Sequence, residues 1–321
     1  ANNLLNLPLD PHGRLDMGIL YEKKGHIAYV TIDNPDKGNI LDHQTSDEIS
    51  EVWKNIWEDW EVRVAILTGA GDRHFCAGHN LAPPPGVSEE DLNRIRTENI
   101  FWPLSGTVNG AKMGADGQLG DHYPHIWKPV IGAINGWAAG AGFYLMLTST
   151  DIRIASEEHA QFKFALLSQG WVGNGPGATF LTRQVSHADA MRILLTDEAF
   201  DAKEALRINL INEVVPHGQL MTRAEEIANR IAGMPPVAVR MMKEFSIRFR
   251  DIPISEAWRV QTLYNTLLTQ LTTDGDEGRK AFLEKRPPDF TGGIRPKAPG
   301  FPELSPEERA LLDETRRELY G

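Results

Sequence analysis

The chain has 321 residues, 41% of them hydrophobic and 24% charged, the balance of a folded chain rather than a disordered one. Lys and Arg number 33 against 44 Asp and Glu, a formal charge of −11 that repels a phosphate backbone, and no dense basic cluster offsets it. Nucleic acid is therefore not an expected partner. A single cysteine, Cys76, excludes an intrachain disulfide and a multi-cysteine zinc site.

The opening residues, ANNLLNLPLDPHGRLD, have neither a basic start nor a continuous apolar core, so no secretory leader is expected. The most apolar stretch, 129–147, is interrupted by Asn135 and several glycines, and reads as strand, glycine loop and buried helix rather than a membrane span. A cytoplasmic protein without a membrane partner is expected. Residues 1–17 read as an irregular N-terminal arm, broken by Pro8, Pro11 and Gly13. Residues 18–23 and 26–33 then read as two strands turning at Lys24 and Gly25. Between 44 and 60, Ile49, Val52, Trp53, Ile56 and Trp57 fall at the spacing of an amphipathic helix. Residues 62–68 (VRVAILT) are a continuous apolar run, as expected of a buried parallel strand. The order ββαβ places the chain in the α/β class.

From 83 to 127 the pattern weakens. Residues 88–91 look like a helix N-terminus, and 106–123 is a glycine-rich, aperiodic insert too long for an ordinary connection. A strand at 130–135, a glycine turn, a helix near 142–149 and strands at 151–155 and 161–164 follow. A second glycine-rich turn, 170–177, feeds a helix from Ala178. Beyond Val215 the pattern is nearly all helical, near 219–233, 236–250, 254–272 and 277–285. The expected organisation is thus an arm (1–17), an α/β core (18–215, with the insert), a helical region (216–290) and a tail (291–321) ending in a charged helix near 306–319.

Two segments invite a common chemical explanation: 75–81 (FCAGHNL) after one strand, and 135–142 (NGWAAGAG) after another and opening a helix. Small residues let a ligand approach the backbone, and peptide N–H groups at a helix N-terminus favour an anion. Two such donors converging on one oxygen make an oxyanion hole, where removing a donor costs ~3–4 kcal/mol. Tight helix–sheet packing explains the same glycines equally well. The spacing is not G-x-G-x-x-G, and neither the phosphate-loop lysine nor a G-x-S-x-G elbow is present.

Beside these, the chain carries 32–35 (IDNP) with 39–41 (NIL), 64–69, 128–134 (KPVIGAI), 151–155, Phe162, 170–177, 194–196, 202–215 (AKEALRINLINEVV) and 278–290 (GRKAFLEKRPPDF). In this order, over about 18–290, the set resembles the crotonase (enoyl-CoA hydratase/isomerase) superfamily. The resemblance implies a spiral of ββα units and a C-terminal helical region used for trimerisation, giving a homotrimer or a dimer of trimers. It implies an acyl-CoA substrate, with coenzyme A as part of that substrate and no tightly bound cofactor. The oxyanion-hole donors fall to the backbone N–H groups of His79 and Ala141, which would hold the thioester oxygen as it becomes an enolate. Ala141 stands where the family usually has glycine. The resemblance also places Lys37 against the nucleotide part of CoA, and Phe282 and Lys285 in a motif that closes over CoA from a neighbouring subunit.

The departures from the family bear on the reaction. The two hydratase glutamates correspond to Tyr144 and Leu166, and the aspartate of dehalogenating members to Asn174. Leucine moves no proton, and a tyrosine of pKa ~10 is a possible acid but a poor base. A lyase, hydrolase or isomerase reaction is expected instead of standard enoyl-CoA hydration. Proton transfer is left to Tyr144, to Asp121, His122 and His125 at the end of the insert, and to the His79 side chain. As a metal site, His122 and His125 lack a clear third ligand, so none is expected. Trp137, Leu166, Trp171 and Asn174 are expected to line an aromatic or alicyclic acyl pocket. Two alternatives remain open: a CoA-independent C–C bond hydrolase of cyclic β-diketones, and a non-catalytic acyl-CoA-binding protein. Trp258, Val260, Leu263, Leu267 and Leu271 make one apolar run in the helical region, whose natural use is subunit contact.

Overall fold

The computed structural model describes residues 18–80, 86, 88–91, 93–94, 107–108, 111–112, 126–172, 177–296 and 305–320. Strands β1 (Ile19–Lys24) and β2 (Ile27–Ile32) form an antiparallel hairpin in register from Ile19–Ile32 to Lys24–Ile27, turning through Gly25 at φ +57°. Helix α1 (His43–Glu58) starts where the Asp42 side chain accepts from the Thr45 amide at 2.9 Å, a standard N-cap. Its Ile49, Val52, Trp53 and Ile56 are buried, as the spacing predicts. Strands β3 (Val64–Gly69) and β4 (His74–Cys76) follow, and then a short hairpin of β5 (Thr107–Val108) and β6 (Ala111–Lys112).

Next come β7 (Val130–Ile134), β8 (Trp137–Ala139), α2 (Ala141–Ser149), β9 (Ile152–Ser156), β10 (Gln161–Lys163), α3 (Gly177–Gln184), α4 (His187–Thr196), β11 (Phe200–Asp201), α5 (Ala202–Arg207) and β12 (Glu213–Val215). Six strands make one sheet in the order β1-β2-β3-β7-β9-β12, parallel throughout except for the first pair. A second sheet has the order β11-β10-β8-β4, in which β4, β8 and β10 are parallel. Consecutive strands alternate between the two: β3, β7 and β9 lie in the larger sheet, and β4, β8 and β10 in the smaller. This is the mixed α/β spiral expected from the resemblance. Of the smaller sheet the sequence reading finds only β10, at 161–164; β4, β8 and β11 escape it because they are two or three residues long and β8 lies inside a segment that reads as a glycine turn.

The chain divides into two compact units. The first runs to Ile126 and then over Val130–Ala228; the second takes Trp127–Pro129 and Asn229 onward. Helix α6 (Leu220–Ala232) spans that boundary and buries Leu220, Ala224 and Ala228. The second unit contains α7 (Pro236–Arg248), α8 (Ile254–Leu271), α9 (Asp274–Glu284) and α10 (Pro306–Tyr320). Phe245 and Phe249 of the α7 end pack on Tyr264 of α8, with ring centroids 6.3 and 5.9 Å away. Among the described residues no helix is long and apolar enough to cross a membrane, and no group of three or more His, Cys, Asp or Glu could hold a metal.

Candidate active site

Because β4, β8 and β10 are parallel neighbours, their C-terminal ends lie along one edge of the smaller sheet, with Cys76 opposite Ala138 and Ala139 opposite Lys163. Ligands of parallel sheets bind at such edges. After β4 the chain runs beside residues 38–41: Ala77 N donates to Gly38 O (3.0 Å), Leu41 N to Gly78 O (2.8 Å) and Asn80 N to Leu41 O (3.0 Å). This ladder holds His79 in a bridge with Leu41. Gly78 sits at φ +107°, and a methyl group built on it would lie 3.0 Å from Ala139 O and 3.1 Å from Ala141 N. The first turn therefore backs directly onto the second.

The second turn pivots on Gly140 at φ +52°, whose N–H donates to Lys163 O at 3.2 Å. Ala141 is the first residue of α2, and the amide of that position has no intrahelical acceptor. The Gly140 carbonyl takes the next two bonds, from Phe143 N (3.0 Å) and Tyr144 N (3.2 Å). Gly142 has a packing role instead, since a methyl there would fall 2.1 Å from Cys76 O. At the far end of α2 the buried Arg153 donates to the carbonyls of Leu147 (3.1 Å), Thr150 (3.1 Å) and Leu210 (2.9 Å). The bonds to Leu147 and Thr150 cap the helix C-terminus with a cation, and burial pulls the guanidinium pKa down to about 10.

The His79 ring is half-buried, with Nδ1 3.1 Å from Leu41 O. A carbonyl only accepts, so Nδ1 carries hydrogen and Nε2 is the basic nitrogen of the neutral ring. Tyr144 is buried against Phe164, ring centroids 5.4 Å apart, and against Gly177, where a methyl would meet Tyr144 Cδ1 at 2.3 Å. Burial, aided by the Asp197 carboxylate, pushes its phenol well above the usual range, so the group keeps its proton and is no base near neutral pH. Leu166 is buried in the same core cluster. Trp171, 53% exposed, follows the 3-10 turn of Leu167–Gln169, its N–H donating to Leu166 O at 3.0 Å.

Trp137 opens β8, at the end of that strand away from the Gly140 turn. Lys37 is exposed and ends a 3-10 turn one residue before Gly38, which bonds the site strand. In the second unit, Phe282 is 82% exposed on α9 and Lys285 caps that helix at φ +55°. Asp121, His122, His125 and Asn174 lie outside the described residues.

The sequence reading passes over Asp197. Its buried carboxylate accepts from Ala165 N (2.5 Å) and Ser168 N (2.8 Å). Burial alone would raise its pKa, but the bonds from Ser168 and Ala165 and the charge of Lys163 hold it below the usual range. The available signal was an acid at the end of a short apolar helix, which by itself reads as a solvated cap.

The profile of the enoyl-CoA hydratase/isomerase family matches residues 22–97 and 113–293. The chain is 34% identical over 281 residues to (E)-benzylidenesuccinyl-CoA hydratase of Thauera aromatica, covering 86% of this chain and 100% of the relative. To carnitinyl-CoA dehydratase of Proteus mirabilis it is 34% identical over 279 residues, covering 84% and 96%. Among solved structures, an enoyl-CoA hydratase from Bacillus anthracis aligns with TM-score 0.73 at 28% identity, over 86% of this chain and 100% of that one. The chain belongs to the enoyl-CoA hydratase/isomerase family and is an enzyme of the crotonase superfamily.

Proposed function

We propose that this enzyme stabilises the enolate of an acyl-CoA thioester in an oxyanion hole made by the backbone amides of His79 and Ala141. The reading is carried by one observation: two turns at neighbouring parallel strand ends back onto each other, one holding His79 and the other placing Ala141 at a helix N-terminus. Donors held in place before the reaction stabilise charge as it develops on the thioester oxygen, and each is worth ~3–4 kcal/mol.

The reaction is of lyase type, water being added to or removed from the acyl chain, as in the hydratase and dehydratase relatives. It departs from standard enoyl-CoA hydration in its proton carrier. In the elimination direction His79 Nε2 takes the α-proton, and the electron pair moves onto the thioester oxygen. The enolate then expels the β-hydroxyl, which takes the proton from the imidazolium and leaves as water. Addition is the reverse. Tyr144, kept protonated by its surroundings, does not act as base. Lys37 meets the nucleotide part of CoA, and Phe282 and Lys285 reach a neighbouring subunit's CoA in a trimer or dimer of trimers. The named substrates of the relatives above are CoA thioesters, and no observation favours a CoA-free diketone.

Isothermal titration with acyl-CoAs and free CoA tests the substrate reading, and absence of binding overturns it. His79→Ala tests the imidazole alone, because the backbone amide stays. It is expected to lower kcat by ~10²–10⁴ with KM little changed. Activity within threefold of wild type would remove the proton-transfer role of the side chain and leave only the amide.

A further inference from the structure

We infer that Asp197 is a positioning residue that sets the acyl-group selectivity of this site, holding Leu166 and Trp171 where a flat aromatic or alicyclic acyl chain would lie. The inference rests on the acyl-CoA reading above and goes past it in naming the substrate class. Helix α4 ends at Asp197, whose φ of +51° turns the side chain back under the loop that follows β10. The carboxylate is 6% exposed, and its two oxygens take different amides of that loop, Ala165 N and Ser168 N. Burying a carboxylate is costly unless it is hydrogen-bonded, so this anion is committed to the loop backbone.

The loop so held carries one left-handed residue at its start. Ala165 is left-handed at φ +56°, a conformation uncommon for a residue with a Cβ. Beyond it, the Leu166 carbonyl accepts from both Gln169 N (2.9 Å) and Trp171 N (3.0 Å), so Leu166 and Trp171 move together. The loop begins two residues after Lys163, whose carbonyl receives the Gly140 N–H of the oxyanion turn. One carboxylate thus sets where Leu166 and Trp171, the loop's part of an apolar wall, stand beside the oxyanion turn, while Tyr144, its other part, is fixed to Ala141 by α2 itself. Leu167, Trp171 and Val172 of the same segment are exposed apolar residues. Rings with π faces prefer such a wall, and a short alkyl chain gains little from it. In Asp197→Asn one oxygen is replaced by an NH2 group that faces a backbone donor, so half of the clamp becomes repulsive.

Measure kcat/KM of wild type and Asp197→Asn with cinnamoyl-CoA and crotonyl-CoA, and follow amide hydrogen exchange over residues 165–172 without ligand. The aryl-to-alkyl ratio is expected to fall at least tenfold, through KM for the aryl thioester, with faster exchange in the loop. Ser168→Ala, which removes only the hydroxyl bond to the same carboxylate, is expected to shift the ratio the same way by a smaller factor, and serves if Asp197→Asn does not fold. Equal losses with both thioesters, or an unchanged ratio, overturn the inference while leaving the acyl-CoA reading intact. A wild type that binds neither thioester overturns that reading, and this inference with it.

Discussion

At Gly78 the conformation and the surroundings both disfavour a side chain: φ is +107°, and Ala139 O and Ala141 N lie 3.0 and 3.1 Å from where a Cβ would be. Gly78→Ala is expected to destabilise the fold by ~1–3 kcal/mol from backbone strain and to push the two turns apart. Its kcat should fall by more than the melting temperature would suggest, with circular dichroism unchanged at 25 °C. A variant equally stable and equally active would show that the two turns do not share one ligand. The residue scale is also where the sequence was most and least legible. Gly78, Gly140 and Gly142 stand out as a pattern, but only coordinates separate the turn-making pair from Gly142, which is there for contact with Cys76. Asp197 was invisible because its partners are backbone amides some thirty residues earlier, and amides leave no mark on composition.

Among the elements, the long apolar runs were readable because a strand buried on both faces or a helix with one apolar stripe repeats its pattern. Helix α4 buries only Ala190 and Ile193, too few to announce it, and β8 hides among glycines that read as a turn. The segment after α9 reads as irregular from its prolines and glycines, yet it is pinned. Glu277 accepts from Arg286 Nη1 (2.6 Å) and Nη2 (2.8 Å) and from Asp289 N (2.8 Å), while Asp274 accepts from Thr291 N and Gly292 N. The Arg286 guanidinium and the Asp289 amide lower the Glu277 pKa from its usual 4.5 to about 2. A depressed carboxyl stabilises the fold above its unfolded pKa and loses that contribution as pH falls through the folded value. Stability of the second unit is therefore expected to decline between about pH 5 and pH 2. Glu277→Gln should be less stable than wild type at pH 7 and should show a shallower loss over that window in thermal melts. Parallel pH curves for the two proteins would refute the assignment.

For the whole molecule, the second unit presents more apolar surface than a lone chain needs. Trp258, Leu263, Leu267 and Leu271 are exposed along α8, and Phe282 and Leu283 along α9, whereas Val260 and Tyr264 are turned partly inward. Rows of this kind mark association surfaces. We expect a homo-oligomer in multiples of three by light scattering at micromolar concentration, and dissociation in a Leu263→Glu, Leu267→Glu double variant. A monomeric wild type would refute this, and with it the assignment of Phe282 and Lys285 to a neighbour's site. The sequence supplied the apolar run but not its facing, because one helix repeat places residues on both the inner and the outer side.

The pair of turns behind His79 and Ala141 also bears on how such a site changes through descent. The anion holder we propose belongs to the main chain, so no side-chain exchange except one to proline, which carries no N–H, deletes it; the others can only crowd it or leave it be. Side chains around it are free to drift, and a lineage can exchange a carboxylate for a leucine or a tyrosine while the hole persists. Inactivity is then a weaker barrier than in a site built from a catalytic triad, where losing one member removes the chemistry. On the proposed reading, a fold that keeps Gly78 and Gly140 keeps a place for a developing oxyanion, and new reactions can be tried around it one neighbour at a time.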